Sequence, residues 1–165
     1  MIRQAQQADI AGILAVWNFY VRETTVTFAS VPKTAAGVAA LMAERRQQGF
    51  EIWVAEAAGQ VQGFASYAQF RGGEGYARTM EHSVMLRQGA QGKGLGRGLM
   101  AAVEAHAFAR GGHTLYAGVS AENAAGRAFH AAIGFAQVAV LAQAGWKFER
   151  WIDLVLMQKK LRRPP

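Results

Sequence analysis

The segment Gln91-Gly92-Lys93-Gly94-Leu95-Gly96-Arg97-Gly98 is the part of the chain best equipped for chemistry. Glycines stand at alternate positions, with Lys93 and Arg97 between them. A glycine has no Cβ, so its backbone N–H can close on an anion. If a helix starts here, its first N–H groups are unsatisfied and carry a partial positive charge. The physical reading is a phosphate cradle. Two familiar phosphate loops do not fit. A P-loop needs a hydroxyl directly after its lysine, and Lys93 is followed by Gly94. The dinucleotide fingerprint needs a third glycine, where this chain has Arg97 counting from Gly92, or Leu99 counting from Gly94. What remains is Gln91-x-x-Gly94-x-Gly96. The chain has no cysteine, which excludes disulfides, thiolate nucleophiles and thiolate zinc sites. Histidines at 82, 106, 113 and 130, with Asp9 and Asp153 as the sole aspartates, show no metal-ligand spacing, and no metal is expected.

A cradle of this kind must be held between a strand and a helix. The 165 residues suit one domain with a real core. A 52% hydrophobic and 18% charged composition excludes a disordered chain. No apolar run approaches the ~18 residues of a membrane helix, and Met1-Ile2-Arg3-Gln4 lacks the apolar stretch of a signal peptide. The expectation is a cytoplasmic protein without a membrane partner. The formal charge of +7 first points to nucleic acid. However, the bases fall in separate groups at 44–46, 93–97, 147–150 and the tail, not in one stripe with aromatics, so no nucleic-acid partner is expected.

Periodicity predicts strands at about 1–5, 51–57, 60–70, 78–87, 113–120, 135–142 and 149–157. Helices are predicted from Asp9 to about Val21, from Thr34 to about Gln48, from the glycine loop to about Arg110, and over 122–132. Trp17 and Trp53 read as core; Trp151, Leu154 and Leu156 read as core or interface. The pattern gives an α+β domain: a mixed, mostly antiparallel sheet of about seven strands with about four helices. The domain is expected to span 1–160, with 161–165 a frayed basic tail.

The Gln91-x-x-Gly94-x-Gly96 loop resembles the pyrophosphate loop of the GNAT superfamily of N-acetyltransferases. A second block, from Asn123 through Ala124, Gly126, Phe129 and His130 to Gly134-Phe135, resembles the helix that follows the cofactor arm in that superfamily. Three segments narrow the likeness: Arg22–Phe28, Glu81-His82-Ser83-Val84, and Lys147-Phe148-Glu149-Arg150-Trp151-Ile152-Asp153. Together they are similar to the phosphinothricin and methionine sulfoximine N-acetyltransferase group, over about residues 2–160. The resemblance implies a GNAT-like fold, acetyl-CoA as co-substrate, a small amino-acid-like acceptor and a homodimer. Cofactor contacts implied are Val84, Met85 and Leu86 on the strand, Gln91, Gly92, Lys93, Gly94, Leu95, Gly96 and Arg97 in the loop, and Asn123, which can also cap its helix.

Acetyl transfer to an amine requires that the ammonium lose a proton, that the thioester carbonyl be polarised, and that the thiolate leave. A positioned carboxylate can take the proton, and Glu81 is the candidate. In a strand Glu81 and Ser83 share one face. A backbone N–H of Val84 or Met85 is the expected donor to the carbonyl oxygen. The superfamily commonly has a tyrosine where this chain has His130, which is either a proton donor to the thiolate or a structural histidine.

An acceptor bearing an α-carboxylate calls for arginine. Arg71, Tyr76 and Arg78 lie in the loop before the Glu81 strand. Relatives often read Tyr-Arg-x-Thr where this chain reads Tyr76-Ala77-Arg78-Thr79, a one-position shift that turns a strand residue to the other face. Arg71 is therefore favoured over Arg78. Phe28 and Ser83 complete the expected acceptor pocket. Lys147 and Arg150 are either surface charge or contacts to a neighbouring subunit's site. Three alternatives remain: another amine (an amino sugar or a protein N-terminus), a CoA-binding sensor without turnover, and a basic nucleic-acid module.

Overall fold

The computed structural model describes residues 1–162. In chain order it contains β1 (Ile2–Gln4), α1 (Ile10–Glu23), α2 (Ala35–Gln47), β2 (Ile52–Ala57), β3 (Gln60–Gln69), β4 (Thr79–Leu86), α3 (Leu95–Ala109), β5 (Thr114–Ser120), α4 (Ala124–Ala132), β6 (Ala136–Lys147) and β7 (Arg150–Lys160). Short 3-10 turns precede α1 and β4. Among the described residues one seven-stranded sheet has the order β1-β2-β3-β4-β5-β7-β6, and its only parallel pair is β4 with β5. This is the expected α+β architecture.

Alternation along the strands divides the core in two. Ile52, Val54 and Phe64 face Ile13 and Val16 of α1 and Val38 and Met42 of α2. Trp53, Ala55, Ala65 and Tyr67 face the other way, toward Leu99, Met100, Val103 and Ala107 of α3. Trp53 is core as expected, whereas Trp17 is only partly buried. Thr34 starts α2 as foreseen, its hydroxyl accepting from the Gly37 N–H at 3.1 Å.

The pairing of β4 with β5 stops early. Only Thr79–His82 pair with Thr114–Ala117, although β4 continues to Leu86 and β5 to Ser120. The two strands therefore splay apart beyond His82 and leave a gap in the middle of the sheet. Backbone direction across this gap can be read from its neighbours. The Thr79 carbonyl and the Arg87 N–H both point to the β3 side, bonding Phe70 N and Gln62 O. Alternation then turns the peptide groups of Val84 and Leu86 into the gap and those of Ser83 and Met85 onto β3.

The C-terminal hairpin is longer than expected. β6 runs on to Lys147 past a register shift between Leu141 and Gly145, where Gln143 has φ 51°. β7 runs to Lys160, and Lys159 pairs with Glu104 of α3 at 2.7 Å. Leu161, expected in a frayed tail, is buried, and its N–H donates to the His113 carbonyl at 2.8 Å. Arg162 is exposed; the rest of the expected tail, 163–165, lies outside the described residues. Trp151 is 56% exposed.

Candidate active site

The glycine loop sits directly before α3. Gly94 is the N-cap residue and adopts φ 78°, a left-handed conformation that favours glycine. The Gly98 N–H bonds back to the Gly94 carbonyl at 3.0 Å, so the preceding N–H groups of Leu95, Gly96 and Arg97 begin the helix without helical partners. A cavity of about 580 Å³ opens here, lined by Gln91, Gly92, Gly94, Gly96 and Arg97 from the loop. Tyr20, Val84, Met85, Leu86, Asn123 and Phe129 complete its wall. Lys93 and Leu95 do not line it; Lys93 is exposed beside the loop. The cavity continues the gap between β4 and β5, so it joins the glycine loop to a row of free peptide groups.

The Leu86 carbonyl is already taken by the Tyr20 hydroxyl at 2.7 Å. The Val84 N–H and C=O and the Leu86 N–H face the gap. Met85, expected as an alternative donor, contributes its side chain to the wall while its N–H points to β3. Asn123 caps α4, its Oδ1 accepting from the Gly126 N–H at 2.8 Å. The same residue lines both cavities, so capping does not remove it from the site.

A second cavity of about 200 Å³ lies deeper, between Ser83 and Val84 on one side and Gly118 and Ser120 on the other. Phe28, with Val26 and Thr27, forms a wall. His82 and His130 also line it. Leu154, expected in the core or an interface, lines it as well. Glu81 and Ser83 share a sheet face, as their spacing predicts. The Glu81 carboxylate lies over Gly118: a Cβ placed there would meet Oε1 at 3.1 Å. The absence of a side chain at 118 leaves room for the carboxylate beside the cavity. No ion pair reaches Glu81 among the described residues, and burial pushes its carboxyl above the usual range.

His82 was not among the expected site residues. It faces the opposite side of the sheet and is buried, 3.0 Å from His130 (Nε2 to Nε2). His130 Nδ1 lies 2.7 Å from the Gly126 carbonyl, which can only accept, so Nδ1 carries the hydrogen. In the neutral ring Nε2 is then bare and accepts the His82 Nε2–H. Burial lowers the basicity of both rings. The alternation that turns Glu81 toward one face of the sheet turns His82 to the other, which is a signal present in the strand pattern. Its pairing with a helix residue 48 positions away is not.

The predicted anion-binding loop is placed elsewhere. Arg71, Tyr76 and Arg78 line neither cavity, and all three are exposed. Arg71 lies over the Phe70 ring, 5.9 Å from its centroid, and Phe70 stacks on Tyr116 at 4.8 Å. Tyr116 is the register partner of Glu81, so Arg71 stands two rings beyond the carboxylate. Strand parity does not turn Arg78 to the opposite face, because β4 starts at Thr79 and Arg78 is in the preceding turn. Its carbonyl accepts from the N–H groups of His113 and Thr114. Arg150 is held by Glu122, ahead of α4. Lys147 points inward and is 2% exposed, so it is not surface charge.

Comparison with known proteins places this architecture. Residues 2–156 match the model of the acetyltransferase (GNAT) domain. The L-methionine sulfoximine/L-methionine sulfone acetyltransferase of Pseudomonas aeruginosa is 42% identical over 97% of this chain and 94% of its own length. The phosphinothricin N-acetyltransferase of Alcaligenes faecalis is 35% identical over 97% of this chain and 82% of its own. Among solved structures, a phosphinothricin acetyltransferase of Sinorhizobium meliloti in complex with acetyl-CoA superposes with TM-score 0.92 at 28% identity, over 98% of this chain and 88% of that one. A ribosomal-protein-alanine N-acetyltransferase of Brucella melitensis gives TM-score 0.94 at 40% identity, over 98% and 99%. A splayed central strand pair, a glycine cradle at the following helix and these full-length likenesses together show that the chain belongs to the GNAT acetyltransferase family.

Proposed function

We propose that the protein transfers the acetyl group of acetyl-CoA to the α-amine of a small amino acid of the methionine sulfoximine or phosphinothricin type, in the cytoplasm. The observation that carries this is that the cavity at the glycine loop and the cavity in the β4–β5 gap share Val26, Val84, Met85 and Asn123, and that Glu81 lies over Gly118 of the second. The residues fit the donor molecule. The loop N–H groups and Arg97 suit a pyrophosphate, with Lys93 beside them. The free edge of Val84 and Leu86 suits an amide-bearing arm laid along it as an extra strand. When bound, acetyl-CoA supplies an activated acyl carbon and a thiol leaving group.

The chain's own residues do the rest. Glu81, half-buried and unpaired, takes the proton from the incoming ammonium directly or through a water. The Val84 N–H, fixed by the strand, polarises the acyl oxygen where negative charge develops. On the opposite face, His130 lines the acceptor cavity with its Nδ1–H on the Gly126 carbonyl and its Nε2 facing His82. The sulfur departs as a thiolate and takes its proton from solvent. Phe28 and Ser83 wall the acceptor side, while Arg71, Tyr76 and Arg78 lie outside both cavities and carry no assigned acceptor contact.

The reading extends to a homodimer. β6 is the edge of the sheet, and the hairpin it forms with β7 exposes Val138, Val140, Leu141, Trp146 and Trp151. A patch of this kind on a basic protein supports pairing with a second copy.

The test is purified protein with acetyl-CoA and methionine sulfoximine, monitoring free thiol and the acetylated product by mass spectrometry. Thiol release that depends on the acceptor supports the reading. If a panel of small amino acids yields none while acetyl-CoA binds, the reading is wrong. A peptide with an N-terminal alanine belongs in the same panel, because the Brucella melitensis likeness favours that acceptor as the second reading.

A further inference from the structure

Lys147 is a buried cation without a carboxylate. Only 2% of the residue is exposed, and no acid lies within ion-pair distance among the described residues. An uncompensated buried charge is costly. Here main-chain dipoles compensate it. The ammonium donates to the Thr27 carbonyl at 2.8 Å and to the Tyr20 carbonyl at 3.3 Å. Tyr20 is in the last turn of α1, where carbonyls lack helical partners and the dipole is negative. The Phe148 ring lies 5.2 Å from the ammonium.

The bonded segment needs such a support. From Val26 to Ala29 the main chain is held by side chains, not by a ladder. The Val26 N–H donates to the Thr24 hydroxyl at 3.2 Å and the Ala29 N–H to the Thr27 hydroxyl at 3.3 Å. A second support comes from the same end of β6. The Phe28 ring lies so close to Gly145 that a Cβ there would collide with it. Gly145 and Lys147, two apart on one strand, share a face. One strand end thus seats the ring of Phe28 and ties down the carbonyl before it.

We propose that Lys147 is a positioning residue for acetyl transfer: by tying Tyr20 and Thr27 together from β6, it fixes the Val26–Phe28 wall of the acceptor pocket. The proposal rests on the reading of that cavity as the acceptor site. It assigns Lys147 no contact with either substrate.

Lys147→Met keeps the stem and removes the donors, and Lys147→Arg restores the charge. Steady-state kinetics should show the Met variant's KM for methionine sulfoximine raised about tenfold or more, with its KM for acetyl-CoA within about twofold. The Arg variant should recover part of the loss. Amide hydrogen exchange should accelerate at residues 25–28 and not in β4. If the Met variant does not fold, Gly145→Ala displaces the Phe28 ring instead and should raise the same KM. Unchanged exchange at 25–28, an unchanged acceptor KM, or both KM values rising together would each overturn the proposal. If wild-type protein acetylates no amino acid, the acceptor reading fails, while the exchange measurement still decides whether Lys147 holds the segment.

Discussion

The Nε2 atoms of His82 and His130 lie 3.0 Å apart, joining the central strand β4 to the helix α4 beyond the gap. The contact has a direction, since the Gly126 carbonyl fixes the hydrogen of His130 on Nδ1. Both rings are neutral by burial, so each resists a proton in the folded state that it accepts freely in the unfolded one. The unfolded state then binds more protons below its ordinary histidine pKa of ~6.5. Stability should be full above that pH and fall as the pH drops below it. Each neutral histidine contributes a slope of at most ~1.4 kcal/mol per pH unit. Urea unfolding at pH 7.5 and 5.5 should show the loss, and it should be smaller in His82→Gln. An equal loss in that variant would mean that the pair does not carry the dependence.

Glu81 carries the proton-transfer step of the proposed reaction, and its environment sets the pH at which it works. Burial raises its carboxyl above the usual range. The base is active when ionised, so kcat/KM should rise with pH through an apparent pKa above the ordinary carboxylate value. Glu81→Gln should lower kcat by ~10²–10⁴-fold and abolish that acid limb. Binding of acetyl-CoA should change little, because Glu81 does not line the cavity at the glycine loop. A variant with wild-type turnover would remove Glu81 from the mechanism.

How much of this was legible in the sequence depends on the range of the cause. The glycine loop was legible because its conformation is local: Gly94 sits at φ 78° where the pattern placed it. Glu81 and Ser83 share a face because strand alternation is local too. The gap was not legible, since it arises where β4 and β5, distant in sequence, cease to pair. Arg78 shows how one residue of boundary matters: it lies just before Thr79, so strand parity does not direct it. Lys147 reads as surface charge in any composition, and only its carbonyl partners, more than a hundred residues away, account for its burial.

The cradle makes a separate prediction, because Gly94 is required by its backbone and not by its neighbours. No atom lies within 4 Å of a Cβ built at that position, so space is not the constraint. The left-handed conformation costs a residue with a Cβ roughly 1–2 kcal/mol. Gly94→Val should relieve that strain by moving the loop N–H groups off their aim. Calorimetric affinity for CoA should fall about tenfold or more while the helical circular dichroism is kept. Retained affinity would show that the phosphates sit elsewhere.

The edge of the sheet gives the last prediction. Trp146 and Trp151 are register partners on the last two strands, with ring centroids 5.0 Å apart and exposures of 53% and 56%. Two tryptophans facing water at a sheet edge are an unusual use of apolar area in a monomer. Trp146 precedes Lys147 on β6, and alternation turns it, with its register partner Trp151, away from the Phe28 wall that Lys147 supports. A second copy packed on this face would bury both rings without entering the acceptor pocket. Trp146→Glu with Trp151→Glu should therefore convert a dimer to a monomer in sedimentation velocity. It should leave the acetyl-CoA affinity near wild type, because neither residue lines the cradle or the gap. A wild-type protein that sediments as a monomer at micromolar concentration would refute the assigned interface, and a double variant that remains dimeric would move it to another face.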